Sequence, residues 1–254
     1  MEIIDLQKFE LPLIKPNRLV MLIGRRGSGK STLQREILYS LRDRVDYFIA
    51  VTPTRDTESE WLSFLPRSMI HRSLDKDLLA RLLDHQDSIS RQKGKRRRSI
   101  CVLWDDVMFI KSALKGESVR ELFYNGRHLD IFFVNACQYM MDVSPDLRLQ
   151  VDYLFAFYDQ IPENRNKIRR YYCGQFRAEA FDATFRACTT DFKCFVVDNT
   201  EHEVRWFKAD INLPPFKLGS PVFWLLDEEF GRDEDTIARE KQQQNDKSVS
   251  VSLY

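Results

Sequence analysis

Gly24-Arg25-Arg26-Gly27-Ser28-Gly29-Lys30-Ser31 follows the apolar run Leu19 to Ile23 and precedes a helical-looking stretch from Thr32 to Leu41. An apolar strand that turns through three glycines into a helix is the arrangement of a phosphate-binding loop; in another context the same glycines would mark only a turn. Gly24, Gly27 and Gly29 let the backbone bend tightly and aim successive N–H groups at a phosphate chain, where a Cβ would crowd the oxygens. Lys30 is expected to reach the β- and γ-phosphates and Ser31 to place its hydroxyl on Mg²⁺. Arg26, Ser28 and Thr32 complete the expected nucleotide contacts, and the helix N-terminus favours the anion.

Ser99-Ile100-Cys101-Val102-Leu103-Trp104-Asp105-Asp106 reads as a buried strand ending in two carboxylates, the form of a Walker B strand that opens on a nucleotide crevice. Asp105 is expected to hold Mg²⁺ through a water, and Asp106 to orient or deprotonate an attacking water. Ile131 to Ala136 is another buried strand, running into Cys137-Gln138. An amide at such a tip can accept from a water and donate to a phosphate oxygen at once, so Gln138 is the expected γ-phosphate sensor. With Tyr47 to Val51 and Val151 to Phe157, the chain offers five apolar runs separated by helical stretches, the pattern of a doubly wound α/β fold. Helices are expected over Trp61 to Leu65, Leu74 to Ile89 with Asp75 as N-cap, Val119 to Arg127 with Gly126 as C-cap, Ile161 to Tyr172 and Ala178 to Ala187. Lys193 to Asp198 and Glu203 to Lys208 read as a hairpin added to the sheet.

With 254 residues, 43% of them hydrophobic, the chain can bury one substantial core, read as an arm (1–17), one nucleotide-binding domain (18–230) and a polar tail (231–254). A net charge of +1 leaves no global field for a nucleic acid, so such a contact has to come from a local patch. Arg91 to Arg98, with six basic residues among eight, is that patch, read as a solvated loop, as a contact to the phosphate backbone of DNA or as a nuclear import signal. Five cysteines, an odd number without a C-x-x-C pair or a signal peptide, are expected to stay reduced thiols and to form no metal finger. No apolar stretch is long enough for a membrane span.

Gly24 to Thr32, Asp105-Asp106, Asn125-Gly126-Arg127-His128, Phe132 to Phe157 with Cys137-Gln138-Tyr139 and Leu147-Arg148, and Val204 to Ala209 together resemble the genome-packaging ATPases of nucleocytoplasmic large DNA viruses. The resemblance covers about residues 18 to 210. It implies a P-loop NTPase of the ASCE, RecA-like type within the FtsK–HerA class, using ATP and Mg²⁺ and working as a homo-oligomeric ring. The implied partners are double-stranded DNA, gripped without regard to sequence, and a capsid or portal-vertex protein; the implied location is the host cytoplasm, in the virus factory, and the virion. Asp106 stands where many relatives of the wider class have Glu, and Cys137 where Ser or Thr often precedes the sensor. Such rings complete their sites with an arginine from a neighbouring subunit; Arg148 is the first candidate, ahead of Arg127 and Arg26. The alternatives are a nucleotide-gated scaffold, a helicase or other translocase outside packaging, and a small-molecule kinase.

Overall fold

Each central strand is a short apolar run whose side chains alternate between two buried layers, as a strand covered on both faces must. The computed structural model describes residues 3–92, 97–107 and 116–228. In β1 (Leu19–Ile23), Leu19, Met21 and Ile23 enter one apolar cluster while Val20 and Leu22 enter the other. β4 (Ile100–Asp105) divides in the same way, with Ile100, Val102 and Trp104 against Cys101 and Leu103. Burying one such aliphatic side chain contributes about 1.5–3 kcal/mol. The consequence is a three-layer molecule with two cores, one on each face of the sheet.

The first layer is closed by α3 (Lys76–Ser90), α4 (Glu117–Asn125), α6 (Pro162–Tyr172) and α7 (Ala178–Cys188), which contribute Leu79 and Leu83, Leu122 and Phe123, Ile168, and Phe181 and Phe185. α1 (Lys30–Leu41) closes the second with Leu33, Ile37, Leu38 and Leu41, helped by Phe9, Leu11 and Ile14 from the segment before β1. That segment is held by its backbone as well: the N–H of Phe9 donates to the carbonyl of Trp206 at 2.7 Å.

Among the described residues the sheet has eight strands, in the order β3-β2-β4-β5-β1-β6-β7-β8. Here β2 is Tyr47–Val51, β3 Ile70–His71, β5 Ile131–Cys137, β6 Tyr153–Phe157, β7 Lys193–Asp198 and β8 Glu203–Lys208. The six strands from β3 to β6 are parallel, and the β7–β8 hairpin is added antiparallel, as the sequence predicts. β5 lies between β1 and β4, and this placement positions the functional side chains. Register aligns Ile23 with Cys137 and Asp105 with Ala136, so the three strand tips end together on one edge.

Three local features depart from the sequence reading. The helix expected over Trp61 to Leu65 is instead α2 (Arg55–Trp61), and a tight turn carries Phe64 and Leu65 into the core after it. β3 is two residues long, below what an apolar pattern can mark. β6 begins at Tyr153, two residues after the expected start. Gly126 stands at the C-cap of α4 as expected, but in a right-handed conformation (φ −49°), so the chain continues as a 3₁₀ turn to Leu129 and reverses at Asp130 (φ 54°). Asp75 caps α3 as expected, its carboxylate accepting from the amides of Asp77 and Leu78. The tail from Gly231 lies outside the described residues. All five cysteines are free, and no helix of the described residues is long and apolar enough to cross a membrane.

Candidate nucleotide-binding site

The loop between β1 and α1 is shaped by the absence of side chains at three points. Gly24 donates its N–H to the carbonyl of Cys137 at 3.2 Å, which ties the loop to the tip of β5. A Cβ on Gly24 would stand 2.5 Å from Ser28 Oγ and 2.8 Å from Phe157 Cβ, too close for any other residue. Gly27 (φ 73°) and Gly29 (φ 102°) take the left-handed turns that feed the chain into α1. Because Gly29 caps α1 without a side chain, the first-turn amides keep their hydrogens for an outside acceptor. Ser28 Oγ is buried with no hydrogen-bond partner, a second unsatisfied group in the same cradle.

Lys30 is only 6% exposed, an unusual position for an ammonium. Its Nζ donates to the carbonyl of Gly24 at 2.6 Å and to that of Arg25 at 3.1 Å. Burial holds its pKa below the ordinary lysine value, against the opposing pull of Asp106 and Asp105. The charge is thus held in place by two backbone oxygens that a phosphate would replace.

Asp105, the last residue of β4, is buried. Burial first, and then the charge of Asp106, push its carboxyl up to about 6, against the effects of Lys30, Thr57 and Gln34. Thr57 Oγ1 donates to Asp105 Oδ2 at 3.3 Å. Asp106 lies one residue beyond the strand in a left-handed conformation (φ 51°), its N–H donating to the carbonyl of Ala136 at 3.0 Å. That turn carries its carboxylate toward β5, where Gln138 Nε2 donates to Asp106 Oδ2 at 2.8 Å. Lys30, Ser31, Asp105 and Asp106 line one cleft of about 880 Å³ together with Arg26, Gly27, Gly29 and Thr32. Gln138 lines the adjoining recess with Asp106 and Arg26. A polyphosphate fits this donor set, and the Ser31 hydroxyl with the Asp105 carboxylate is the pair that could hold a divalent cation beside it.

Two supporting residues escape sequence reasoning. Gln34 is fully buried on α1, its Nε2 within 3.5 Å of the carbonyl of Trp104. It stands four residues after Lys30, one helical turn along the same face, and that spacing is a signal the sequence does carry. Thr57 carries none, because only the pairing of β2 with β4 brings its helix beside Asp105.

Arg148 requires a correction. It ends the short helix α5 (Pro145–Arg148) and is 2% exposed. Its Nε donates to the carbonyl of Val143 at 2.8 Å, and its guanidinium lies 4.4 Å from the ring centroid of Tyr171. A side chain so engaged in its own fold is not presented to a neighbouring subunit, whereas Arg26 and Arg127 are exposed. Arg148→Ala is therefore expected to destabilise the fold by about 3 kcal/mol, from a lost charged hydrogen bond and a lost cation–π contact. For a chain of this size that lowers Tm by roughly 8 °C. Thermal unfolding checks it, with turnover per folded molecule close to that of the unaltered chain.

The basic run is tied to the body of the molecule where it is described. Arg91 pairs with Asp87, Arg97 with Asp130 and Arg98 with Asp46, while Lys93 to Arg96 lie outside the described residues. Arg97 and Arg98 lead into the start of β4, at the opposite end of that strand from Asp105.

A family model described as Poxvirus A32 protein matches residues 8–172. An uncharacterized protein of Acanthamoeba polyphaga mimivirus is 28% identical over 277 residues, covering 98% of this chain and 96% of its own length. Another, from Frog virus 3 (isolate Goorha), is 26% identical over 243 residues, covering 88% of this chain and 75% of its own length. Among solved structures, the genome packaging NTPase B204 from Sulfolobus turreted icosahedral virus 2 in complex with ATP-gammaS matches with a TM-score of 0.57 at 19% identity. That match covers 78% of this chain and 100% of the B204 chain. The likeness is one of fold, and it agrees with the mainly parallel α/β sheet of this chain.

Proposed function

The chain belongs to the Poxvirus A32 protein family, and on that footing we propose that it is an ATPase that drives double-stranded DNA into a viral capsid as a homo-oligomeric ring. Transfer of a γ-phosphoryl group to water needs an in-line nucleophile and stabilised charge, and little else from the protein. Asp106 accepts the proton of the attacking water. Gln138, whose amide nitrogen is engaged on Asp106, keeps its carbonyl oxygen to orient that water. Lys30 leaves the carbonyls of Gly24 and Arg25 for the β- and γ-phosphate oxygens, and Arg26 adds charge from the lip of the cleft. Ser31 and Asp105 would hold Mg²⁺, which supplies positive charge against the charge of the phosphates.

The observation that carries this reading is the hydrogen bond from Gln138 to Asp106 at adjacent strand tips beside Lys30. A protein that only senses nucleotide has no use for a water-activating pair. DNA contact is assigned to interactions with the phosphate backbone, with the basic run Arg91 to Arg98 the candidate, because a pump must advance over any sequence.

The test is steady-state ATP hydrolysis by the purified chain with and without long duplex DNA. Turnover should rise with duplex DNA irrespective of its sequence, and the concentration of DNA needed for stimulation should climb steeply from about 50 to 200 mM salt. Tight ATP binding without hydrolysis, where oligomers and bound DNA are both demonstrated, would instead favour a nucleotide-gated scaffold.

A further inference from the structure

Thr57, Asp105 and Asp106 mark one end of the cleft, and its other end is built from segments distant in sequence. There Phe192, from the turn between α7 and β7, stands with Lys208, Ala209, Asp210 and Ile211, where the chain leaves β8. Phe192 is 64% exposed and Ile211 76%, although both are large and apolar. Asp191 (φ 56°) and Phe192 (φ 58°) both hold left-handed backbone, which a bulky side chain rarely adopts. A Cβ placed on Gly29 would lie 3.7 Å from Phe192 Cδ1, so the ring stands directly beside the phosphate loop. The two sides are tied together and to the body of the molecule. Lys208 Nζ donates to Asp191 Oδ2 at 2.5 Å, and the N–H of Asp210 donates to Glu36 Oε2 on α1 at 2.8 Å.

Resting on the nucleotide reading of this cleft, we propose that Phe192 and Ile211 hold the nucleobase, Phe192 by stacking on its face and Ile211 by apolar contact. A triphosphate seated on Lys30 with its γ end toward Asp106 leaves its base directed to this end of the cleft. Every base offers a π-face to an aromatic ring, so such a grip is strong without being selective. The polar side chains at this end are oriented by partners of their own, Lys208 by Asp191 and Asp210 by the N–H of Asn212 at 2.8 Å, so contact with the face of the base carries the grip. With the face rather than the edge of the base held, adenine and guanine nucleotides are bound alike.

Calorimetric titration of the full chain with ATP, GTP and inorganic tripolyphosphate, each with Mg²⁺, tests this. ATP and GTP should agree within about threefold, and both should bind more tightly than tripolyphosphate. Phe192→Ala should weaken ATP binding about tenfold and leave tripolyphosphate unchanged, and Phe192→Tyr should restore ATP binding. Equal weakening of ATP and tripolyphosphate would make Phe192 a support of the loop and overturn the assignment. So would ATP binding no tighter than tripolyphosphate in the unaltered chain, or a strong preference for one purine. A chain that binds neither ligand refutes the nucleotide reading itself, an outcome distinct from these.

Discussion

Asp106→Asn is expected to lower steady-state ATP hydrolysis by about a thousandfold while ATP affinity changes by no more than about threefold, because it removes the acceptor of the water proton and little else. The substitution is nearly isosteric, and Asn is among the few residues that tolerate the left-handed backbone Asp106 adopts (φ 51°). The strand tip therefore keeps its shape, and Gln138 keeps a side-chain oxygen to donate to. Loss of rate without loss of binding is what separates a group acting in the transition state from one that holds the ground state. Phosphate release under saturating ATP, beside a binding isotherm, measures both. A variant that retained more than about a tenth of the turnover would remove Asp106 from the proton transfer.

Lys30→Ala is expected to weaken ATP binding by at least about a hundredfold, and turnover at ordinary nucleotide concentrations goes with it. Three effects act in the same direction. The charge opposite the phosphates disappears; the carbonyls of Gly24 and Arg25 lose the donor that holds the loop's curve; and Asp105 and Asp106 lose the cation that offsets their mutual repulsion. In the free chain the first effect is absent. Lys30 is itself a poorly solvated charge there, so its removal also relieves a cost, and the unliganded Tm should move little. The informative readout is the ligand-induced shift. ATP at about a hundred times Kd adds roughly 2.7 kcal/mol to the stability of the unaltered chain, and the variant should show almost none of it. An undiminished shift would place the phosphates somewhere other than the loop.

The residues behind these two expectations are legible in the sequence to different degrees from their neighbours in the site. The loop from Gly24 to Ser31 is legible in full, because its chemistry depends on residue types at fixed short spacings, and such spacings survive folding. The same holds for the alternation of apolar residues in β1 and β4, and for the Asp75 cap. Arg148 is not legible. Its position just beyond β5 suits a residue offered to a neighbour, but helix α5 turns it inward onto Val143 and Tyr171. Whether a charged side chain faces solvent or folds back is decided by what packs around it, and one chain's sequence does not state that. Thr57 and Phe192 escape for the related reason that no local pattern singles either of them out.

By itself, then, the sequence determined the glycine-rich loop between β1 and α1, the paired carboxylates, the terminal amide and the strands that carry them, since each is written within a window of a few residues. Tertiary structure decided that β5 lies between β1 and β4, so that Gln138 meets Asp106 beside Lys30. It also decided that Phe192 and Ile211 stand together at the far end of the cleft. Strand order and cleft walls arise from burying two faces of a sheet at once, a condition on the whole chain that no short stretch of it can express.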